Sequence, residues 1–266
     1  HGMLDSGVQA SWQVPVPFFL SVGVEALQGR EQERFGALVA QEDADAVVVS
    51  GAGLSDEKSG PRSGVFYLKA APYLGEKQSL QWGASWLQAR QFQQVIDEDE
   101  SLMDDQFALQ GRQALWGLDV AYAYDAEGQN GTGDVEVVTE YLHLKKDMRV
   151  TGADASAAVA VGNKVTGRQD GLYVQVVYGV APRWQAGIRH EVIGMKNALR
   201  EGGMTHSMAD SHRTSVMMAY RPNAMSRLRV QWSSADIHDE AGDKTRLQQL
   251  SLGLTVALGG HAGHAH

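Results

Sequence analysis

Apolar and polar residues alternate along most of this chain with a period of two. Leu250, Leu252, Leu254 and Val256 are separated by Ser251, Gly253 and Thr255. Side chains of a strand point to opposite faces in turn, so such a segment has one greasy and one small or polar side. Leu228, Val230 and Trp232 likewise oppose Arg227, Arg229, Gln231 and Ser233. Leu172, Val174, Val176 and Tyr178 oppose Tyr173, Gln175 and Gly179, and Trp184, Ala186 and Ile188 oppose Gln185, Gly187 and Arg189. Earlier strands follow from Val8–Ala10–Trp12, Leu20–Val22–Val24, Leu80–Trp82–Ala84–Trp86 and Trp116–Leu118–Val120–Tyr122. Less regular ones fall at 64–74, 135–145 and 212–221. Only 31–41, 98–113 and 195–200 have helical composition, and none keeps a 3.6-residue stripe. The pattern predicts an all-β chain of about eleven strands.

Connections alternate in length. Short ones are Pro15-Val16-Pro17, Gly75-Glu76-Lys77, 127–133, Ala181-Pro182-Arg183 and Pro222-Asn223-Ala224-Met225. Long ones are 30–62, 90–106, 146–170, 194–211 and 236–244. Membrane barrels have short periplasmic turns and longer external loops. This rhythm therefore predicts an antiparallel transmembrane β-barrel over residues 1–260, with a periplasmic C-terminus and a histidine-rich tail at 261–266. An odd strand count places the two ends on opposite sides, whereas single-chain bacterial barrels usually have an even number. At least one further strand is expected upstream, for 12 or more in all. The alternative is a missed strand within 30–62, where Ala46-Val47-Val48-Val49 is apolar.

Alternation alone also suits a soluble barrel with its apolar face inward. Charged residues recur on the polar face, and a water-filled lumen tolerates these more cheaply than a packed interior. Trp12, Phe18, Trp82, Trp86, Tyr124, Tyr178, Trp184 and Trp232 lie near strand ends, as in interfacial girdles. The expected setting is the bacterial outer membrane, with its lipid and lipopolysaccharide as partners. Composition adds that 30 glycines and 6 prolines accompany a 43% apolar fraction, which suits bending strands. A net charge of -9 argues against a nucleic-acid partner. The absence of cysteine excludes disulfides and thiolate chemistry.

The segments Leu4-Asp5-Ser6-Gly7-Val8-Gln9-Ala10-Ser11-Trp12, Pro15-Val16-Pro17-Phe18 and Glu25-Ala26-Leu27-Gln28-Gly29 resemble a proteobacterial outer-membrane family labelled zinc-regulated or TonB-dependent-receptor-like, related in style to phosphate-selective porins. Gly171-Leu172-Tyr173-Val174-Gln175, Ala181-Pro182-Arg183-Trp184, Tyr220-Arg221-Pro222 and Ser226-Arg227-Leu228-Arg229-Val230-Gln231 are similar in the same way. The resemblance implies a porin-like barrel whose upstream region, or a partner protein, completes it. No TonB box or plug accompanies it.

The candidate chemistry is electrostatic. Glu25, Asp119 and Glu140 form an acidic wall of the expected lumen, and Arg189, Arg213, Arg227 and Arg229 a basic one, with Lys69 and Glu191 also facing inward. Opposed walls create a transverse field that orients polar solutes, if these charges do not simply pair and fill the lumen. His261, His264 and His266 offer imidazoles for Zn²⁺, and His206 and His212, with Met204, Met208 and Asp210, a second candidate metal site. The acidic residues of 97–105 suit cations or Ca²⁺ alongside lipopolysaccharide. Ser207, Ser211, His190 and His212 lack any nucleophile motif, so no enzyme is expected. The resulting expectation is a channel for small polar solutes or ions, with a metal-linked uptake protein or a structural barrel around a partner as alternatives.

Overall fold

The computed structural model describes residues 6–28, 61–97, 106–153, 160–201, 204–223, 225–238 and 243–257. They form one antiparallel sheet of 13 strands. Its elements are β1 (Gly7–Gln13), β2 (Phe19–Leu27), β3 (Ser63–Ala71), β4 (Gln78–Asp97), β5 (Gln106–Tyr124), β6 (Val135–Ala153) and β7 (Lys164–Ala181). There follow β8 (Trp184–Ile193), β9 (Ala198–Glu201), β10 (Met204–Ser207), β11 (Ser211–Asn223), β12 (Ser226–His238) and β13 (Lys244–Val256). Neighbours in sequence pair in space from β1 through β8, then β11, β12 and β13, with β9 and β10 off this path. The path contains the strands that the alternation predicts. The alternative strand around 46–49 lies outside the described residues.

The register carries the stagger that barrel closure requires. One row of partners runs Trp12, Val22, Leu68, Ala84, Leu118, Tyr141, Leu172, Val192, His212, Asp236 and Arg246. It starts beside the turn end of β1 and finishes near the loop end of β13, slipping by roughly one residue per strand. Among the described residues β1 and β13 are not paired with each other, so the sheet is a barrel wall with two edges.

Solvent exposure decides which face is outside. Trp12, Trp116, Leu118, Ile188, Leu252 and Leu254 are exposed, Leu252 at 80%, whereas Ser215 and Ser233 are only 3% and 5% exposed. The apolar face is therefore the convex one, the inverse of a soluble barrel. On β5 it runs from Trp116 to Tyr124, about 26 Å along the strand and about 20 Å along the membrane normal at ~40° tilt, close to the ~25 Å band of such barrels. Aromatic rings mark the turn end, where Trp184 packs on Tyr220 at 4.7 Å between ring centroids.

Beyond that band the sheet differs from expectation. Residues 90–97 and 106–113, read as loop or helix-like, belong to β4 and β5, and much of 146–170 to β6 and β7. Here the pattern inverts. Lys145, Asp147, Arg149 and Arg168 are exposed on the outer face. Ala89, Leu109, Met148, Val150 and Val165 form a buried cluster on the inner one. The physical reason is that hydrocarbon no longer meets the outer face, so polar residues return to it. Within 194–211 the chain forms the β9–β10 hairpin, which pairs with this extension of β7 rather than forming an irregular loop.

The turn end is knitted by backbone contacts. Gly133 N–H donates to Gly179 at 2.7 Å, Arg183 N–H to Asn130 at 3.0 Å and Arg221 N–H to Arg183 at 2.9 Å. Arg183 holds a left-handed conformation, φ 71°, and its guanidinium donates to the Pro222 carbonyl at 2.9 Å. A side chain at position 179 would collide with the Gly131 carbonyl, which explains that glycine.

Candidate functional site: the inner face of the barrel wall

All nine charged residues assigned to the lumen fall on the inner face. Lys69 lies opposite Gly83, Gly83 opposite Asp119, Asp119 opposite Glu140, Glu140 opposite Tyr173, Tyr173 opposite Glu191 and Glu191 opposite Arg213. Five of the charges thus share a single row across the wall. Glu25 is flanked by Gln9 and Val65. Arg189 stands opposite Gln175 and Ser215, Arg229 opposite Ala219 and Gly253, and Arg227 opposite Thr255.

The charges are neither free nor fully cancelled. Arg189 pairs with Glu191 at 2.7 Å, and Arg213 approaches the same carboxylate at 3.6 Å. Arg189 also lies 4.0 Å from the centroid of the Tyr173 ring, and Tyr173 stands opposite Glu140 on β6. Tyr173 therefore joins the acidic and basic walls. Arg213 donates to Ser233 Oγ at 3.4 Å, which Gln231 also reaches at 3.2 Å and Ser215 at 2.9 Å. Glu191 is the one carboxylate serving two guanidiniums here. Arg227 and Arg229 have no carboxylate partner among the described residues, and Arg227 Nε is buried without a hydrogen bond. A cavity of about 350 Å³ opens among Arg189, Arg213, Arg227, Arg229, Gln175 and Gln231.

The acidic half is built around glycines. The Asp119 carboxylate lies over Gly83, and the Tyr67 ring over Gly23. Tyr67 accepts a hydrogen bond from Gln9 at 2.6 Å, and Lys69 Nζ sits 5.8 Å from the same ring centroid. Tyr67 and Tyr173 were not anticipated as site residues. Their inward parity was present in the sequence, but their role emerges only from cross-strand neighbours.

The other candidates are dispersed. His212 faces outward at 3.3 Å from Asp236, just beyond the apolar band. Its sequence neighbour Ser211 accepts from His238 N–H at 3.0 Å, so the two do not form a nucleophile–base pair. His190 contacts Thr214 at 2.9 Å. Ser207 and His206 lie on the exposed β10. Among the described residues no group of three His, Asp or Glu side chains is placed to hold a metal. His261, His264 and His266, and residues 98–105, lie outside the described residues.

Ion pairs mark both ends of the wall outside the apolar band. Asp236 binds Arg246 at 2.7 Å and Lys244 at 2.9 Å. The hydrogen bonds from Arg246 and then Lys244 hold its carboxyl well below the usual carboxylate range. At the turn end Lys77 pairs with Glu127 at 2.6 Å, and that hydrogen bond raises the Lys77 ammonium above its ordinary value.

No family model matches the chain. It is 26% identical over 266 residues to an uncharacterized protein of Aquifex aeolicus (strain VF5), an alignment covering 99% of this chain and 52% of the relative. The chain thus spans about half the length of the curated relative it matches. Among solved structures it is similar to OmpT, an outer membrane protein of Vibrio cholerae, with a TM-score of 0.48 and 10% identity, covering 93% of this chain and 63% of that one. A second similarity is to the CymD monoaromatic hydrocarbon channel, TM-score 0.39 and 14% identity over 96% of this chain and 74% of the other. A third is to the outer membrane channel DcaP of Acinetobacter baumannii, TM-score 0.38 and 9% identity over 93% and 83%. At these TM-scores the fold rests on the sheet itself. Nothing in these comparisons supports the zinc-regulated, TonB-dependent-receptor-like label.

Proposed function

We propose that this chain forms part of the wall of a bacterial outer-membrane channel that passes small polar solutes or ions. The observation that carries this reading is the charged row on the inner face, backed by an outer face of exposed leucine, valine and tryptophan. Isolated charges are costly in a dry interior, and this row supplies only part of the pairing its members would need there. Water along the row removes that cost. The inner face as a whole separates sign, with Asp119 and Glu140 on β5 and β6 and Arg213, together with Arg227 and Arg229 outside the row, on β11 and β12, so a solute passing it meets a transverse field.

In this reading the short turns are periplasmic and the long loops external. The two edge strands, β1 and β13, are closed by further strands of the same protein or by a partner. A curated relative of about twice this length supports further strands. The test is conductance of the full-length protein in planar bilayers. Discrete current steps that scale with salt are expected. A folded protein that conducts no ions refutes the channel and leaves a structural barrel that houses a partner.

A further inference from the structure

A second cavity, of about 290 Å³, adjoins the arginine cavity toward the long-loop end and differs from it in chemistry. Ile193, Ala235, Ile237 and Leu247 line it, together with Glu191 and Arg213, which line the first cavity too. These apolar residues lie on the inner face: Arg213 is opposite Ala235, and Ala235 opposite Leu247. Ile193, Ile237 and Leu247 are half exposed, at 57%, 41% and 51%. These branched apolar side chains stand wet beside the charged part of the lumen face, unlike the Ala89, Leu109, Met148, Val150 and Val165 cluster of the same face, which is buried. A water-filled channel for ions alone has no use for them.

Their position along the strands adds the second element. Level with Ala235 stands Arg213, held by Glu191 and Ser233, and toward the turn end stand Arg229 and Arg227, which have no carboxylate partner among the described residues. At ~3.3 Å of rise per residue, the step from Ala235 to Gln231 is on the order of 13 Å, and the Arg227 guanidinium reaches back to Met217, opposite Gln231, at 3.9 Å. An occupant touching both parts is therefore elongated, with its charge at one end.

We propose that the inner wall of β8, β11, β12 and β13 is a two-part site for small amphipathic anions. Arg229, Arg227 and Arg213 take the carboxylate, and the Ile193–Ala235–Ile237–Leu247 patch takes an aryl or short alkyl body. Arginine suits the charged end because its planar fork binds carboxylates with two parallel hydrogen bonds. The apolar end contributes by area removed from water. Cations with the same body are repelled by the guanidinium cluster. This assignment deepens the channel reading and rests on its wet lumen, but binding at the site does not require conduction.

The test is isothermal titration of the full-length folded protein with 4-phenylbutyrate, acetate and 4-phenylbutylamine. At least tenfold tighter binding of 4-phenylbutyrate than of either other probe is expected. The pair Arg227→Gln and Arg229→Gln lowers that affinity at least tenfold, while Arg227→Lys with Arg229→Lys recovers part of it. The pair Ile237→Ser and Leu247→Ser abolishes the preference over acetate. Heat-modifiable gel mobility establishes that each variant is folded. Equal binding of 4-phenylbutyrate and acetate, binding of the amine at equal strength, or folded variants with unchanged affinities overturns the proposal. Conductance measured on the same preparation separates the two readings. Current without selective binding removes this site and keeps the channel, whereas selective binding without current keeps the site and removes the channel.

Discussion

Val230 gives a sharp test of which face meets hydrocarbon. It stands on the outer face of β12, between Met218 on β11 and Leu252 on β13, midway along the outward run from Leu228 to Trp232. It is 47% exposed. Arginine placed at the bilayer midplane on the lipid face of a barrel costs about 2–4 kcal/mol. At about 1.4 kcal/mol per tenfold, Val230→Arg therefore lowers the folding equilibrium constant roughly 30- to 700-fold. Gln231, the next residue, faces the cavity and donates to Ser233 Oγ at 3.2 Å. Gln231→Arg loses one neutral hydrogen bond, about 0.5–1.5 kcal/mol, and adds a like charge beside Arg213, Arg227 and Arg229 that water in the lumen screens. Urea titration of both variants in lipid vesicles, followed by tryptophan fluorescence, gives the two differences. The expected order is a large loss at Val230 and a small one at Gln231. If position 230 faced water, its substitution would change stability by no more than about 0.5 kcal/mol. A Val230→Arg loss that small, or a larger loss at Gln231, refutes the assignment of faces.

Three more expectations follow from particular contacts. Gly23→Leu forces the Tyr67 ring off Gly23 and away from Gln9, so urea titration should show a loss of about 1–3 kcal/mol; an unchanged midpoint contradicts the packing. Asp236 has a depressed folded-state pKa, so the stabilisation from its pairing is present above the unfolded-state pKa and is lost as pH falls through the folded one. A carbon-detected NMR titration should place its midpoint below the ordinary carboxylate value of about 3.9, and a midpoint at that value contradicts the Arg246–Lys244 clamp. Glu191→Gln removes the carboxylate shared by Arg189 and Arg213 and should shift the reversal potential under a salt gradient toward anions, whereas an unchanged or cation-shifted potential contradicts a conducting path along this wall.

Much of the wall is legible in the sequence because one physical contrast, hydrocarbon against water, acts on alternate residues. Arg227 through Ser233 is the plainest case, and the inward side of each lumen charge follows from the same parity. Where the contrast changes, legibility fails. Residues 147–150 alternate, but with Asp147 and Arg149 outward and Met148 and Val150 buried inside, and before them Lys145 is outward while Lys146 is buried inside. A rule that expects grease outside reads this as loop. The pairing of Arg189 and Arg213 with a single glutamate, and the bridge made by Tyr173, depend on register between strands that no local pattern fixes. The apolar patch on the inner face escaped for a related reason. Ile193, Ile237 and Leu247 lie at strand ends, where each reads as the start of a loop.

The most direct measurement uses the absence of cysteine in the chain. Single cysteines carrying a nitroxide at each position from 227 to 233, in the protein folded into lipid bilayers, report collision with oxygen, which concentrates in hydrocarbon, and with a water-soluble nickel chelate. The account predicts oxygen contact at 228, 230 and 232 and nickel contact at 227, 229, 231 and 233. Uniform nickel contact along the strand, or the opposite phase, contradicts it.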